Sequence, residues 1–101
     1  MNPRTFTPGF QTTQNKGFRI TFDNKWSVSV QWGIFHYCEH HDSGYRYGVE
    51  MKQDYWASCN AEVAIIDPNG KFIPVDEKSH EVKGYCTPDE VAAIIATVSS
   101  H

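Results

Sequence analysis

The chain has 101 residues, 40% of them hydrophobic and 14% aromatic, which is typical of a single folded domain rather than a disordered tail. Its formal net charge of −3 at pH 7 argues against binding nucleic acid through bulk attraction to phosphate. The charge is uneven, because residues 1–33 carry four basic and one acidic side chain, whereas residues 34–101 carry five basic and eleven acidic ones. This pattern fits an ordinary solvated surface, or an acidic face that attracts a basic surface on a partner.

The first 16 residues are a weak core sequence, rich in Thr, Asn and Gln, with Phe6 and Phe10 isolated among them. Such a segment is either a frayed tail or an arm that lies on the domain through its two rings. The two phenylalanines favour the arm. We therefore expect an extended N-terminal arm over residues 1–16 and a single domain over residues 17–101.

The clearest strand pattern is GFRITFDNKWSVSVQWG, residues 17–33. Apolar and polar residues alternate on both sides of Asp23-Asn24-Lys25, which predicts a β-hairpin with its turn there. The predicted inward face consists of Phe18, Ile20, Phe22, Trp26, Val28, Val30 and Trp32. The predicted outward face, a candidate flat polar binding surface, consists of Arg19, Thr21, Ser27, Ser29 and Gln31.

The segment 34–56 has no clean period, is long for a hairpin loop and is dense in aromatic residues. Long loops are often functional, and Tyr, Trp and Arg dominate the energetics of protein interfaces. Some of these rings are expected to pack in the core, which leaves two or three outside. The predicted partner-binding residues are Tyr37, Tyr45, Arg46, Tyr47, Tyr55 and Trp56.

A second hairpin is predicted over residues 61–75, where the apolar run AEVAIID is followed by the turn Pro68-Asn69-Gly70. The return strand covers residues 71–75, with Pro74 suited to an edge position. A short extended piece, residues 82–85, follows a polar connection.

The last element is a helix that begins at a capping box, with Thr87 as N-cap, Pro88 at N1 and Glu90 at N3. Its apolar stripe consists of Val91, Ile94, Ile95 and Val98. A one-sided stripe of this kind packs across a sheet. The predicted fold class is α+β, an antiparallel sheet of four to five strands (two hairpins) with one C-terminal helix packed on one face.

The best candidate for chemistry is a cluster of metal-ligand residue types, His36, Cys38, His40 and His41, with Cys59 brought close across the sheet. Cys38 and His40 form one loose pair and no matching second pair follows, so free cysteines in the core and histidines in a loop are the favoured interpretation. The chain has no nucleophile motif and no Gly-rich phosphate loop. We expect no catalysis, no metal and no cofactor.

An odd set of three cysteines without a CxxC motif favours a reducing compartment. The N-terminal sequence lacks the apolar stretch of a signal peptide, and the aliphatic run at residues 61–66 is far shorter than the ~20 residues of a membrane span. We expect a protein of the cytoplasm, without a membrane partner.

Three segments, GFRITFDNKWSVSVQWG, AEVAIIDPNG and GYCTPDEVAAII, resemble small uncharacterised accessory proteins of bacteriophages and prophages. The resemblance covers roughly residues 17–33, 61–70 and 84–98, about half of the chain. The resemblance implies no catalytic residues in this chain. It implies a phage-encoded protein of the host cytosol that binds a host component, such as part of a defence system.

The leading functional hypothesis is therefore a non-catalytic protein that binds and modulates or inhibits a host protein. One alternative is sequestration of a small ligand such as a nucleotide signal, with aromatic rings on the base and Arg19 or Arg46 on a phosphate. Another is a domain supported by structural zinc. A homodimer formed through a free strand edge is also open.

Overall fold

The computed structural model of the protein describes residues 7–13, 16–33, 36–39 and 57–101. Across these ranges the chain forms one antiparallel sheet and one helix, which confirms the predicted α+β fold. The elements are β1 (Gly9–Thr12), β2 (Gly17–Thr21), β3 (Ser27–Gln31), β4 (Ala61–Ile66), β5 (Phe72–Ile73), β6 (Lys83–Cys86) and α1 (Pro88–Ser99).

The centre of the sheet is β4, which pairs with three strands. The strand order is β1-β2-β3-β4, and the far edge of β4 is shared by β5 and β6. Ile65 and Ile66 pair with β5, whereas Ala61 and Val63 pair with β6. The beginning of β4 and the end of β6 therefore lie together at one end of the sheet, directly before the helix starts.

The first hairpin has the predicted turn. The Phe22 amide donates to the Trp26 carbonyl at 2.9 Å, and Lys25 adopts a left-handed backbone with φ of 74°. The cross-strand partners Phe18 and Val30 lie on one face, as the alternation predicts.

The second hairpin also has the predicted turn. The Asp67 amide donates to the Lys71 carbonyl at 2.9 Å, and Gly70 supplies the positive φ of 85°. The return strand is shorter than predicted, with only Phe72 and Ile73 in the ladder. Pro74 has no N–H to donate, so the pairing ends before it.

Part of the N-terminal arm forms a strand. Residues 9–12 pair along the whole of β1 with β2, from Gly9 opposite Thr21 to Thr12 opposite Phe18. Phe10 is 86% exposed, so this strand is held by its backbone pairing rather than by that ring. Phe6 lies outside the described residues.

The core lies between the sheet and α1. Its fully buried members include Val28, Val63 and Val98, and the helix stripe continues in partly buried Val91, Ile94 and Ile95. The predicted capping box is present, because the Glu90 amide donates to Thr87 Oγ1 at 3.2 Å and the Thr87 amide donates to Glu90 Oε1 at 3.0 Å.

The face of the sheet that points away from α1 was predicted to be a flat, exposed polar surface. The structure departs from this prediction. Ser27 is 1% and Thr21 6% exposed, and Ala64 and Ile66 on the same face are buried as well. The two hydroxyls satisfy each other at 2.8 Å, which is why polar side chains are tolerated there. Alternation identified the face correctly, but it does not determine whether that face meets solvent.

Candidate functional site

An apolar groove of about 440 Å³ opens on the helix side of the sheet. Its walls come from β3, the start of β4, the end of β6 and the first half of α1. The lining side chains include Val30, Trp32, Cys86, Val91, Ala92 and Ile95. The Trp32 ring is held by an edge-to-face contact with Phe18, with ring centroids 6.2 Å apart.

Among the described residues, the groove lies beside the half of the helix that is less deeply buried. Val98, in the last turn, is fully buried, whereas Val91 and Ile95 are only partly buried. Ala92 adds only a single methyl group beside them. Apolar surface at the first half of α1 is therefore left uncovered by the described residues.

One rim of the groove is formed by residues 57–60, to which a separate segment, residues 36–39, is tied. The Glu39 amide donates to Asn60 Oδ1 at 2.6 Å. In return, the Glu39 carboxylate accepts the Cys59 amide at 2.7 Å and the Cys59 thiol at 3.1 Å. This reciprocal set holds the segment 36–39 beside the groove.

The same contacts disfavour nucleophilic chemistry at the rim. The hydrogen bond to Glu39 raises the pKa of the Cys59 thiol, and the negative charge of that carboxylate acts in the same direction. Burial raises the pKa of Cys86, which lines the groove. Both thiols are therefore held in the protonated, weakly nucleophilic form.

The surroundings of the groove are acidic. Asp89 and Glu90 lie in the first turn of α1 between the lining residues Pro88 and Val91, and the helix carries no Lys or Arg. Lys83 pairs with Asp76 at 2.9 Å and with Glu90 at 3.5 Å. Lys83 is thus shared between two carboxylates, and neither of these ion pairs among the described residues involves Asp89.

Two half-exposed tyrosines lie at the same end of the sheet. Tyr37 is 50% and Tyr85 53% exposed. The Tyr85 amide donates to the Tyr37 carbonyl at 2.8 Å, and the Tyr37 amide donates to Glu62 Oε2 at 2.8 Å. A side chain at Gly84 would come within 2.6 Å of Tyr37 Cβ, so glycine permits this close approach. We call Tyr37 and Tyr85 the tyrosine pair.

The tyrosine pair is built on a β-bulge. The register between β4 and β6 shifts between Ala61 and Val63, so that Gly84 and Tyr85 together oppose Glu62. Tyr85 has a φ of 56°, a conformation that is strained for a bulky side chain. Sequence reasoning missed Tyr85, and the Gly-Tyr step in an otherwise extended segment is the signal that marks it.

Of the six residues predicted to bind a partner, the structure describes one, Tyr37, which is a member of the tyrosine pair. The other five predicted contacts lie outside the described residues: Tyr45, Arg46, Tyr47, Tyr55 and Trp56.

The candidate zinc ligands that are described make other contacts. His36 Nδ1 accepts from the Gly33 amide at 3.0 Å, and the Cys38 thiol donates to the Gly33 carbonyl at 3.4 Å. No group of three His, Cys, Asp or Glu side chains suited to a metal occurs within the described ranges. His40 and His41 lie outside them.

Comparisons of the chain with protein-family models, with curated proteins and with solved structures found no match. In the part of the chain that the structure describes, no helix has the length and apolar character needed to cross a membrane.

Proposed function

We propose that the protein is a non-catalytic, phage-type accessory protein that binds a host protein and modulates or inhibits it. The observation that carries this proposal is the apolar groove that the described residues leave uncovered beside an acidic helix terminus. The resemblance of three segments to small phage and prophage proteins supports the choice of a bacterial host protein as partner. The cysteines, all three of them free thiols, support a reducing compartment such as the host cytosol.

The groove favours a partner segment of particular chemistry. Its volume of about 440 Å³ is comparable with that of pockets that enclose small molecules, about 300–1,000 Å³, and so it accommodates a few apolar side chains. Asp89 and Glu90, in the first turn of α1, favour Lys or Arg next to those apolar anchors. The partner segment is therefore apolar at its centre and basic at its flank.

The tyrosine pair adds a second contact region at the same end of the sheet. Tyr37 and Tyr85 each combine a large apolar ring with a polar hydroxyl, as interface hot spots do. Tyr45, Arg46, Tyr47, Tyr55 and Trp56 remain predicted contacts of the same partner. In this proposal the partner is occluded by binding and is not chemically altered.

The test is capture of a host protein by immobilised protein, with two matched helix variants. Ala92 and Ala96 are both exposed alanines of α1, and Ala92 lines the groove whereas Ala96 does not. Ala92→Arg fills the groove and adds a charge that repels a basic partner, so captured partner should fall by about tenfold or more. Ala96→Arg should capture as the wild type does. Equal capture by wild type and Ala92→Arg, quantified by mass spectrometry, contradicts the groove as the binding site.

A further inference from the structure

The turn between β4 and β5 contains an asparagine followed directly by a glycine, Asn69-Gly70, which is the only such pair in the sequence. Gly70 carries no side chain, so nothing shields its backbone nitrogen from the carboxamide that precedes it. The Asn69 side chain is exposed, and no hydrogen bond holds its carboxamide among the described residues. Both features favour attack by the Gly70 nitrogen on the Asn69 carboxamide carbon.

The other two asparagines that the structure describes are held in place. The Asn24 side chain donates to the Val98 carbonyl at 2.9 Å and accepts the Trp26 amide at 2.9 Å. Asn60 Oδ1 accepts the Glu39 amide at 2.6 Å. The residue that follows is lysine in the first case and alanine in the second, and its Cβ crowds the backbone nitrogen. The same attack is therefore hindered at both positions.

A single aspartate braces the turn around Asn69. Asp67 Oδ1 accepts the Asn69 amide at 2.8 Å and the Lys71 amide at 2.9 Å. The Asp67 carbonyl accepts the Gly70 amide at 3.0 Å, so the attacking nitrogen is itself engaged while the turn is closed. The turn must open before Gly70 attacks, and the carboxylate charge opposes loss of the proton from that nitrogen. Asp67 therefore slows the reaction in two ways.

We propose that Asn69 is a site of spontaneous covalent modification, in which the Gly70 nitrogen displaces ammonia from the Asn69 carboxamide at a rate that Asp67 restrains. A bond forms between the Gly70 nitrogen and Asn69 Cγ, and the bond from Cγ to Nδ2 breaks. The proton of the Gly70 amide leaves with Nδ2 as ammonia. Water then opens the resulting succinimide ring at either of its carbonyl carbons, which leaves an aspartyl or an isoaspartyl residue at position 69.

The isoaspartyl product changes the second hairpin. Its backbone is longer by a methylene group between positions 69 and 70, and it carries a new carboxylate close to that of Asp67. Only Phe72 and Ile73 of the return strand are in the ladder, so we expect this short strand to loosen. The groove lies at the other end of β4, where Ala61 lines it, and the modification is therefore independent of the proposed function.

The experiment follows the intact protein during incubation at neutral pH, with peptide mapping by mass spectrometry at Asn24, Asn60 and Asn69. We expect modification at Asn69 to be faster than at the other two by about tenfold or more, since their side chains must first lose hydrogen bonds. The two products at position 69 are separated by chromatography, and the isoaspartyl form should unfold at a lower urea concentration than the unmodified protein. Asn69→Ala provides the blank.

Two substitutions of Asp67 test its role in the turn. Asp67→Ala removes the charge and the acceptor of two amides, so modification of Asn69 should be about fivefold faster or more. Asp67→Asn keeps an oxygen acceptor and should give a rate between those of Asp67→Ala and the wild type. The matched control is Asp76→Ala, because Asp76 Oδ1 likewise accepts two amides, those of Lys78 and Ser79, in a different loop. It should leave the rate at Asn69 within about twofold.

Asn24 and Asn60 also report on folding, because a variant that unfolded would release their side chains and accelerate modification at all three asparagines. In that event Asp67→Asn decides the question. Equal rates at the three asparagines of the wild type, or a rate at Asn69 that neither substitution of Asp67 raises, would overturn the proposal.

Discussion

The Asn24 side chain, in the turn of the first hairpin, donates its Nδ2 hydrogen to the Val98 carbonyl at 2.9 Å. A turn residue therefore caps the last turn of a helix that lies 74 positions further along the chain. His101 strengthens the same junction, with its ring 4.5 Å from the Trp26 ring in an edge-to-face contact. These contacts hold the C-terminal end of α1, whereas the apolar groove lies beside the first half of the helix.

Asn24→Ala is expected to lower the free energy of unfolding by about 1–2 kcal/mol, since it removes the bond to Val98 and the acceptor of the Trp26 amide. Urea unfolding measures this change. Asn69→Ala, at an exposed position in the turn of the second hairpin, is the control and should change stability by less than about 0.5 kcal/mol. Equal losses in the two variants would show that Asn24 does not hold the helix.

The capping box makes stability depend on acid pH. The Thr87 amide lowers the pKa of Glu90, and Lys83 lowers it further. A carboxyl whose pKa is lowered by folding stabilises the protein above its ordinary pKa of about 4.3, and this contribution is lost as the pH falls through the lower, folded-state value.

Glu90→Gln should therefore show a shallower loss of stability than the wild type between about pH 5 and pH 3. Urea unfolding across this range is the measurement. Asp76, whose pKa is lowered by Lys83, retains its own acid dependence in the variant, so the loss is reduced and not abolished. Identical pH profiles for the two proteins would contradict the role of Glu90.

Because the backbone at Tyr85 is strained, replacing this residue by glycine should affect stability and partner capture in opposite directions. Tyr85→Gly should raise the free energy of unfolding by about 0.5–1 kcal/mol, because glycine adopts a φ of 56° without steric cost. The same variant should capture less partner. Tyr37→Gly, at a position without positive φ, is the matched control and should lose both stability and capture. A less stable Tyr85→Gly protein would contradict the backbone strain, and unchanged capture would contradict a role of the ring in the interface.

The contact between Glu39 and Cys59 predicts a change in thiol reactivity. Since Glu39 raises the pKa of the Cys59 thiol, Glu39→Gln should increase the thiolate fraction and speed alkylation near pH 7.5 several-fold. Gln keeps an oxygen that accepts the Cys59 amide, so the rim of the groove is preserved. Peptide mapping assigns the modified thiol, and Cys59→Ser provides the blank. An unchanged rate at Cys59 would contradict the assignment.

The hairpins and the helix were predictable because their signals are local. The alternation around Asp23-Asn24-Lys25, the turn at Pro68-Asn69-Gly70 and the capping box at Thr87 each determine the conformation of a few neighbouring residues. The strand β1 was not predictable in this way. Its four residues are all exposed and owe their conformation to pairing with β2, a partner that the local sequence does not specify.

The candidate site was predictable only in part. Tyr37 was predicted as a contact from aromatic density, whereas the position of Tyr85 depends on a bulge that shifts the register of β6. The groove could not be predicted from the sequence for a different reason. Val91 and Ile95 have the same apolar spacing as any buried helix stripe, and the distance between helix and sheet decides whether they are covered.

The most direct test of the groove as a binding site is site-specific photo-crosslinking in a bacterial host. A benzophenone side chain is placed at Ala92, which lines the groove, or at Ala96, an exposed position of the same helix outside it. If the groove holds a partner segment, position 92 gives one dominant protein adduct, mapped to a segment with apolar residues beside Lys or Arg, and position 96 does not. Adducts of equal yield at both positions, or none at position 92, would contradict the proposed function.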